Sequence, residues 1–155
     1  IIPLAMVLQD MIHFILSIPV IVLFLFMYHK SPSVSWLYGI PLLLCIQFLM
    51  TYGISLAISS INLFFRDLKN LTVIFITLLF YCTPIIYPES MVPEKYEHLL
   101  SLNPIAHLMI SWRSLFLYGT LDTASLMVST AYSVFAFVIG YVIYRKLSWK
   151  FAEVL

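Results

Sequence analysis

The sequence predicts an all-α integral membrane protein: four transmembrane helices, with two short amphipathic helices on the outer side between the last two spans. Three observations carry this reading. About 63% of the 155 residues are hydrophobic and only 10% are charged, where an ordinary soluble domain carries roughly 25% charge. Four apolar runs, near Met11 to Tyr28, Trp36 to Ile61, Leu71 to Tyr87 and Ala124 to Tyr144, each approach the roughly 20 residues a helix needs to cross hydrocarbon. The runs lack the strict alternation of barrel strands, and only helices or closed barrels satisfy their own backbone inside a bilayer.

The first span is placed at about 4–28. It opens on IIPLAMVLQD, with no initiator Met, no basic stretch and no small-residue cleavage site, so the chain is expected to be a C-terminal fragment rather than to start with a signal peptide. Asp10 and His13 lie one turn apart near its start. At membrane depth such groups face a bundle interior, and at the interface they face water; the spacing allows both. The second span, about 36–61, carries Gln47, Thr51, Ser55 and Ser59 at intervals of four. That places a polar stripe on an apolar helix, suited to helix packing or to lining a channel.

A charged turn, SINLFFRDLKN over residues 60–70, leads to the third span at about 71–87. Its outer end meets Pro84, Pro88 and Pro93, which remove backbone donors and clash with the preceding turn, so the helix stops or kinks there. Residues 88–123 form the expected outer helical hairpin. Pro93 with Glu94 suits one first turn, and Asn103 with Pro104 reads as an N-cap and first helical position of another. Ile105, Leu108, Met109, Trp112 and Phe116 then recur at helical spacing up to a glycine stop at Gly119. This second helix is too short to span; it could lie flat, cap a pore, or re-enter the bilayer. Arg113 could pair with Glu97, meet lipid phosphate, or snorkel to water. The last span, about 124–144, ends in a basic tail with Arg145, Lys146 and Lys150.

Charge sets the topology. Arg66, Lys69 and the basic tail lie at one set of span ends, whereas the 88–123 segment carries Glu89, Glu94, Glu97 and Asp122 against Lys95 and Arg113. Under the positive-inside rule the 62–70 turn and both ends of the chain face the cytoplasm, and the hairpin faces outward. Tyr28, Trp36, Tyr38, Tyr87, Tyr144 and Trp149 fall near the span ends, where amphipathic rings favour the headgroup level.

Several functions are disfavoured. The eight basic residues are dispersed, with no phosphate-binding face for nucleic acid. The four glycines are isolated, so no Walker-type loop exists and the chain cannot hydrolyse ATP alone. His13, His29, His98 and His107 lack metal spacing; Cys45 and Cys82 read as small hydrophobes within spans; nothing suggests a nucleophile elbow.

The ordered set of SINLFFRDLKNL before a span, TPIIYP at its outer end, MVPEKYEHLLSLNPIAHLMISWRSLFLYG, and a last span with a basic tail resembles the permease subunits of type-2 ABC exporters. The nearest branch is that of polysaccharide, O-antigen and teichoic acid exporters. The resemblance implies that the four spans are numbers three to six of a six-span subunit, and that the outer helices are gate helices. It implies two permease copies, a partner ABC ATPase dimer that binds ATP and Mg, and a polyprenyl-diphosphate-linked glycan or polyol phosphate as cargo, in a bacterial or archaeal cytoplasmic membrane. Arg66 and Asp67 match the family's cytoplasmic entrance motif. Pro93, Asn103, Pro104, Trp112 and Arg113 fall in the gate helices. Tyr81 and Tyr87 are candidate pathway aromatics, which could stack sugars or anchor the helix at the interface. A drug or small-lipid exporter of the same architecture, a membrane-embedded enzyme acting on lipid-linked sugars, and a structural scaffold stand as alternatives.

Overall fold

The computed structural model describes residues 2–30, 32–65, 67–85, 87, 91 and 102–149. Within them lie five helices: α1 (Ile2–Met27), α2 (Ser35–Asn62), α3 (Leu68–Cys82), α4 (Pro104–Tyr118) and α5 (Thr123–Ser148). The fold is an all-helical membrane bundle. Three helices, α1, α2 and α5, are 26, 28 and 26 residues long and apolar enough to cross a membrane; at about 1.5 Å per residue each exceeds the roughly 30 Å of hydrocarbon.

α1 ends in a Schellman motif. The Lys30 N–H donates to the Leu25 carbonyl and the His29 N–H to that of Phe26, with His29 in the left-handed position, φ 56°, that glycine usually takes. Asp10 and His13 are both exposed, while Val7 and Met11 turn to the bundle. Within this chain, then, the ionisable pair does not face the interior.

α2 is the central element, and its most extensive contact is with α5. Here apolar burial is weak as a driving force, because lipid tails are as apolar as leucine; close backbone approach and van der Waals contact take over. Gly53 and Gly140 make that approach. A Cβ on Gly53 would sit 2.5 Å from the Phe137 backbone, and one on Gly140 would collide with the Gly53 carbonyl. Ser129 and Ser133 of α5 are fully buried, extending the small-residue face. α5 starts at Asp122, whose carboxylate accepts from the amides of Ala124 and Ser125 and from the Ser125 hydroxyl at 2.5 Å. These bonds, the hydroxyl's foremost, hold its carboxyl below the usual range.

α3 departs from the expected 71–87. It begins at Leu68 and stops at Cys82 after 15 residues, because Thr83 takes extended angles, φ −98° and ψ 135°, as the residue before proline prefers. None of its residues is buried. The helix expected from Pro93 lies outside the described residues, as does Arg66. The second outer helix forms as expected: Asn103 accepts the Ile105 amide at 3.0 Å, and Gly119 closes the helix at φ 65° with its amide on the Leu115 carbonyl.

Candidate functional site

α4 packs lengthwise on the bundle. It runs antiparallel along the first half of α2, between α2 and α5. The Ser35 hydroxyl bonds the Gly119 carbonyl, the Trp36 indole N–H donates to the Leu115 carbonyl at 2.8 Å, and the Trp112 indole N–H donates to Gln47 Oε1 at 2.9 Å. Pro104, at the opposite end of α4, shares an apolar cleft of about 320 Å³ with Met50, Gly53 and Tyr132. Residue 50 is the sixteenth of the 28 in α2, so α4 starts about halfway along α2 and runs back to its first turn. The second outer helix is thus packed lengthwise against the first half of α2.

Side-chain shape explains the seating. Leu108, Trp112 and Leu115 of α4 join Leu25, Trp36, Leu43, Ile46 and Met50 in one buried cluster. Gly39 leaves room for Leu115, whose Cδ1 would lie 2.6 Å from a Cβ at that position. Trp112 meets Phe14 edge-on at 5.2 Å and stacks on Phe116 at 5.4 Å; Phe116 in turn meets Trp36 edge-on.

The last four carbonyls of a helix lack helical partners and must be satisfied by other groups. The end of α3 meets this demand residue by residue. The Thr83 hydroxyl donates to the Leu79 carbonyl at 2.6 Å and the Thr83 amide to that of Phe80 at 3.3 Å. The Tyr87 hydroxyl donates to the Tyr81 carbonyl at 3.2 Å. The Asn103 amide group donates to the Cys82 carbonyl at 3.4 Å and to the Thr83 hydroxyl at 2.9 Å. Beyond the helix, the Arg113 guanidinium donates to the carbonyls of Ile85 and Tyr87 at 3.0 and 3.1 Å. The TPIIYP and Asn-Pro segments are thus one polar joint, with Thr83 and Asn103 buried in it.

The expected roles redistribute accordingly. Asn103, Pro104, Trp112 and Arg113 are brought together around α4. Among the described residues the Arg113 guanidinium meets the carbonyls of Ile85 and Tyr87, while Glu97 lies outside them, as does Pro93. The Tyr87 hydroxyl caps α3, whereas Tyr81 is 68% exposed and meets Phe80 edge-on. Asp67 occupies the N-cap of α3 without a side-chain capping bond, far along the chain from the joint. The polar stripe of α2 divides: Gln47 receives Trp112, while the hydroxyls of Thr51 and Ser59 bond carbonyls of their own helix.

Sequence reasoning missed an aromatic row. Phe48, Tyr52, Phe137 and Tyr141 follow one another at ring separations of 5.8, 6.0 and 6.3 Å across α2 and α5, with interplanar angles of 13°, 33° and 20°. Aromatic pairs spaced by four on two helices were the available signal. Among the described residues no group of three His, Cys, Asp or Glu side chains could hold a metal.

Residues 2–117 match the ABC-2 type transporter family. Two proteins described as O-antigen export system permease protein RfbA, both from Klebsiella pneumoniae, are 44% and 43% identical over 155 residues, all of this chain. A protein of the same description from Myxococcus xanthus is 29% identical over 157 aligned positions and 99% of this chain. The chain spans 60% of the length of these curated relatives.

Proposed function

The chain belongs to the ABC-2 type transporter family, and from that premise we propose that it forms the gate-bearing part of the permease of an ATP-driven polysaccharide exporter. The carrying observation is identity over the whole chain to proteins described as O-antigen export permeases. The packing of α4 along α2 and its joint with α3 are in keeping with it, because a broken crossing is tolerated only where protein or water covers the backbone. Two copies would enclose a passage in the cytoplasmic membrane, with both ends of this segment on the cytoplasmic side. The partner ABC ATPase dimer would bind ATP and Mg and supply the work; this chain itself is a transport element rather than an enzyme. The cargo would be a polyprenyl-diphosphate-linked glycan or polyol phosphate. Its sugar rings would stack on the half-buried row of Tyr52 and Phe137 and on exposed Tyr81, since flat apolar sugar faces fit aromatic rings. Arg66 and Asp67 would stand at the cytoplasmic entrance, where the ATPase docks.

The test is purification of the full-length subunit in mild detergent, followed by assay for a co-purifying ATPase and for ATP hydrolysis with added lipid-linked glycan. A stoichiometric ATPase stimulated by the glycan is expected. Stimulation by small amphiphiles alone would move the protein to the drug or small-lipid exporters. A pure subunit with no nucleotide-binding partner would overturn the exporter reading and reopen the membrane-enzyme and scaffold alternatives.

A further inference from the structure

The attachments of α4 are unequal. Towards α2 they are buried or half-buried and mixed: two indole N–H bonds, from Trp36 to the Leu115 carbonyl and from Trp112 to Gln47 Oε1, the Ser35 bond to Gly119, and Leu115 seated over Gly39. α5 is fixed to α2 through the Gly53 and Gly140 backbones and also packs on α4. Towards α3 the hydrogen bonds that reach its outer end come from Asn103 and Arg113. They fall on the carbonyl of Cys82, the last residue of α3, on the Thr83 hydroxyl, and on the Ile85 and Tyr87 carbonyls beyond Pro84. α3 itself buries no residue.

Gln47 is the one amide side chain in this α2 face, and its oxygen is the acceptor for a tryptophan that is 95% shielded, at 5% exposure. From this asymmetry we infer that Gln47 is a positioning residue for export: it locks α4 to α2, so that α2, α4 and α5 move as one block and α3 swings against them about Thr83 and Pro84. The lock rests on the geometry alone; the swing rests on the exporter reading above. It follows that α4 is not a free lid. The joint transmits the position of α3 to the Asn103 end of a fixed helix, as hinge residues at element ends do.

Two measurements on the full-length protein separate these statements. The first needs no nucleotide and no partner: amide hydrogen exchange along α4 in wild type, Gln47→Leu and Gln47→Glu. Leucine fills a similar volume but leaves the indole N–H without an acceptor, and exchange in α4 should rise about tenfold, the scale set by an orphaned buried donor. Glutamate keeps an oxygen at the same reach and should hold exchange within about threefold of wild type on the same reasoning. Unchanged exchange in Gln47→Leu would overturn the lock, whatever the protein exports.

The second uses spin-label pairs in the complex with its ATPase, one labelled subunit per dimer, with Cys45 and Cys82 replaced by alanine. Labels at exposed Leu37 and Tyr118 report α2 against α4, and labels at exposed Phe75 and Val138 report α3 against α5. Between the nucleotide-free and vanadate-trapped states the α3–α5 distance should shift while the α2–α4 distance stays fixed. A shift in the α2–α4 pair would make α4 a free lid and overturn the inference. Constancy of both pairs in a complex that hydrolyses ATP would overturn the swing. If no ATPase joins the complex, the exporter reading and the swing both fail, and the exchange result alone decides the lock.

Discussion

Arg113 shows how far one side chain can bear on a membrane fold. Its planar fork meets two carbonyls in irregular backbone, Ile85 and Tyr87, a geometry that a lysine's point charge cannot reproduce. Replacing it by leucine orphans both oxygens, so Arg113→Leu should lose more than about 1 kcal/mol of stability, and Arg113→Lys should fall between that and wild type. Thermal unfolding of the detergent-purified full-length protein would give this order. His29 offers the opposite case. Its left-handed φ of 56° costs a non-glycine residue about 1–2 kcal/mol, while glycine returns about 0.4–1 kcal/mol to the unfolded chain. The first effect is larger, so His29→Gly should stabilise by up to about 1 kcal/mol. Asp122 links the fold to pH. Its bonds to Ser125 and Ala124 lower its folded pKa, so its contribution is present above the unfolded carboxyl value and is lost as pH falls through the lowered folded one. Asn keeps a capping oxygen but only one, where the carboxylate uses two, so Asp122→Asn should lower the melting temperature modestly at pH 7 and flatten the acid limb of its pH profile.

At the scale of elements, the α2–α5 crossing depends on two hydrogen atoms. A methyl group on Gly140 would meet the Gly53 carbonyl, and one on Gly53 the Phe137 backbone; backbone cannot yield as a flexible side chain can. Overpacking of this kind costs about 1–3 kcal/mol, so Gly140→Ala should destabilise, whereas Gly39→Ala meets only the movable tip of Leu115 and should cost less. Comparison of the two melting temperatures checks this. The same two glycines mark the limit of what could be read in advance. The spans, the Asn103 cap, the Gly119 stop and the proline break after Cys82 each follow from local chemistry, and all are legible in the chain. The partners of Gly53, Gln47 and Arg113 are set by contacts 65 to 87 residues away for the first two and by an irregular turn for the third. A stripe at intervals of four says that Gln47 faces something polar or packed; it does not say that an indole from a helix beyond the next span will occupy it.

The whole molecule poses a counting problem. Three helices are long enough to cross, and an odd number of crossings would leave the chain's ends on opposite sides. The charge pattern disagrees: Lys69 lies in the first turn of α3 and Arg145 and Lys146 in the last turn of α5, and the positive-inside rule would put both on one, cytoplasmic, side. α3 and α4, each 15 residues and about 22 Å long, would resolve this if they shared one crossing. α3 would rise to the joint at Thr83 and Asn103, and α4 would continue from there to the level of Ser35. A two-piece crossing would restore an even count, and it would put a charge-bearing joint where a continuous helix would offer only apolar side chains. The consequence can be measured with single cysteines at Thr120 and Ser148 in a background free of Cys45 and Cys82. In intact spheroplasts an impermeant maleimide should label Thr120→Cys at once, and Ser148→Cys only after permeabilisation. Labelling of both from outside would mean that α3 and α4 fail to complete a crossing, and the shared span would have to be abandoned in favour of a helix pair lying on one face of the membrane.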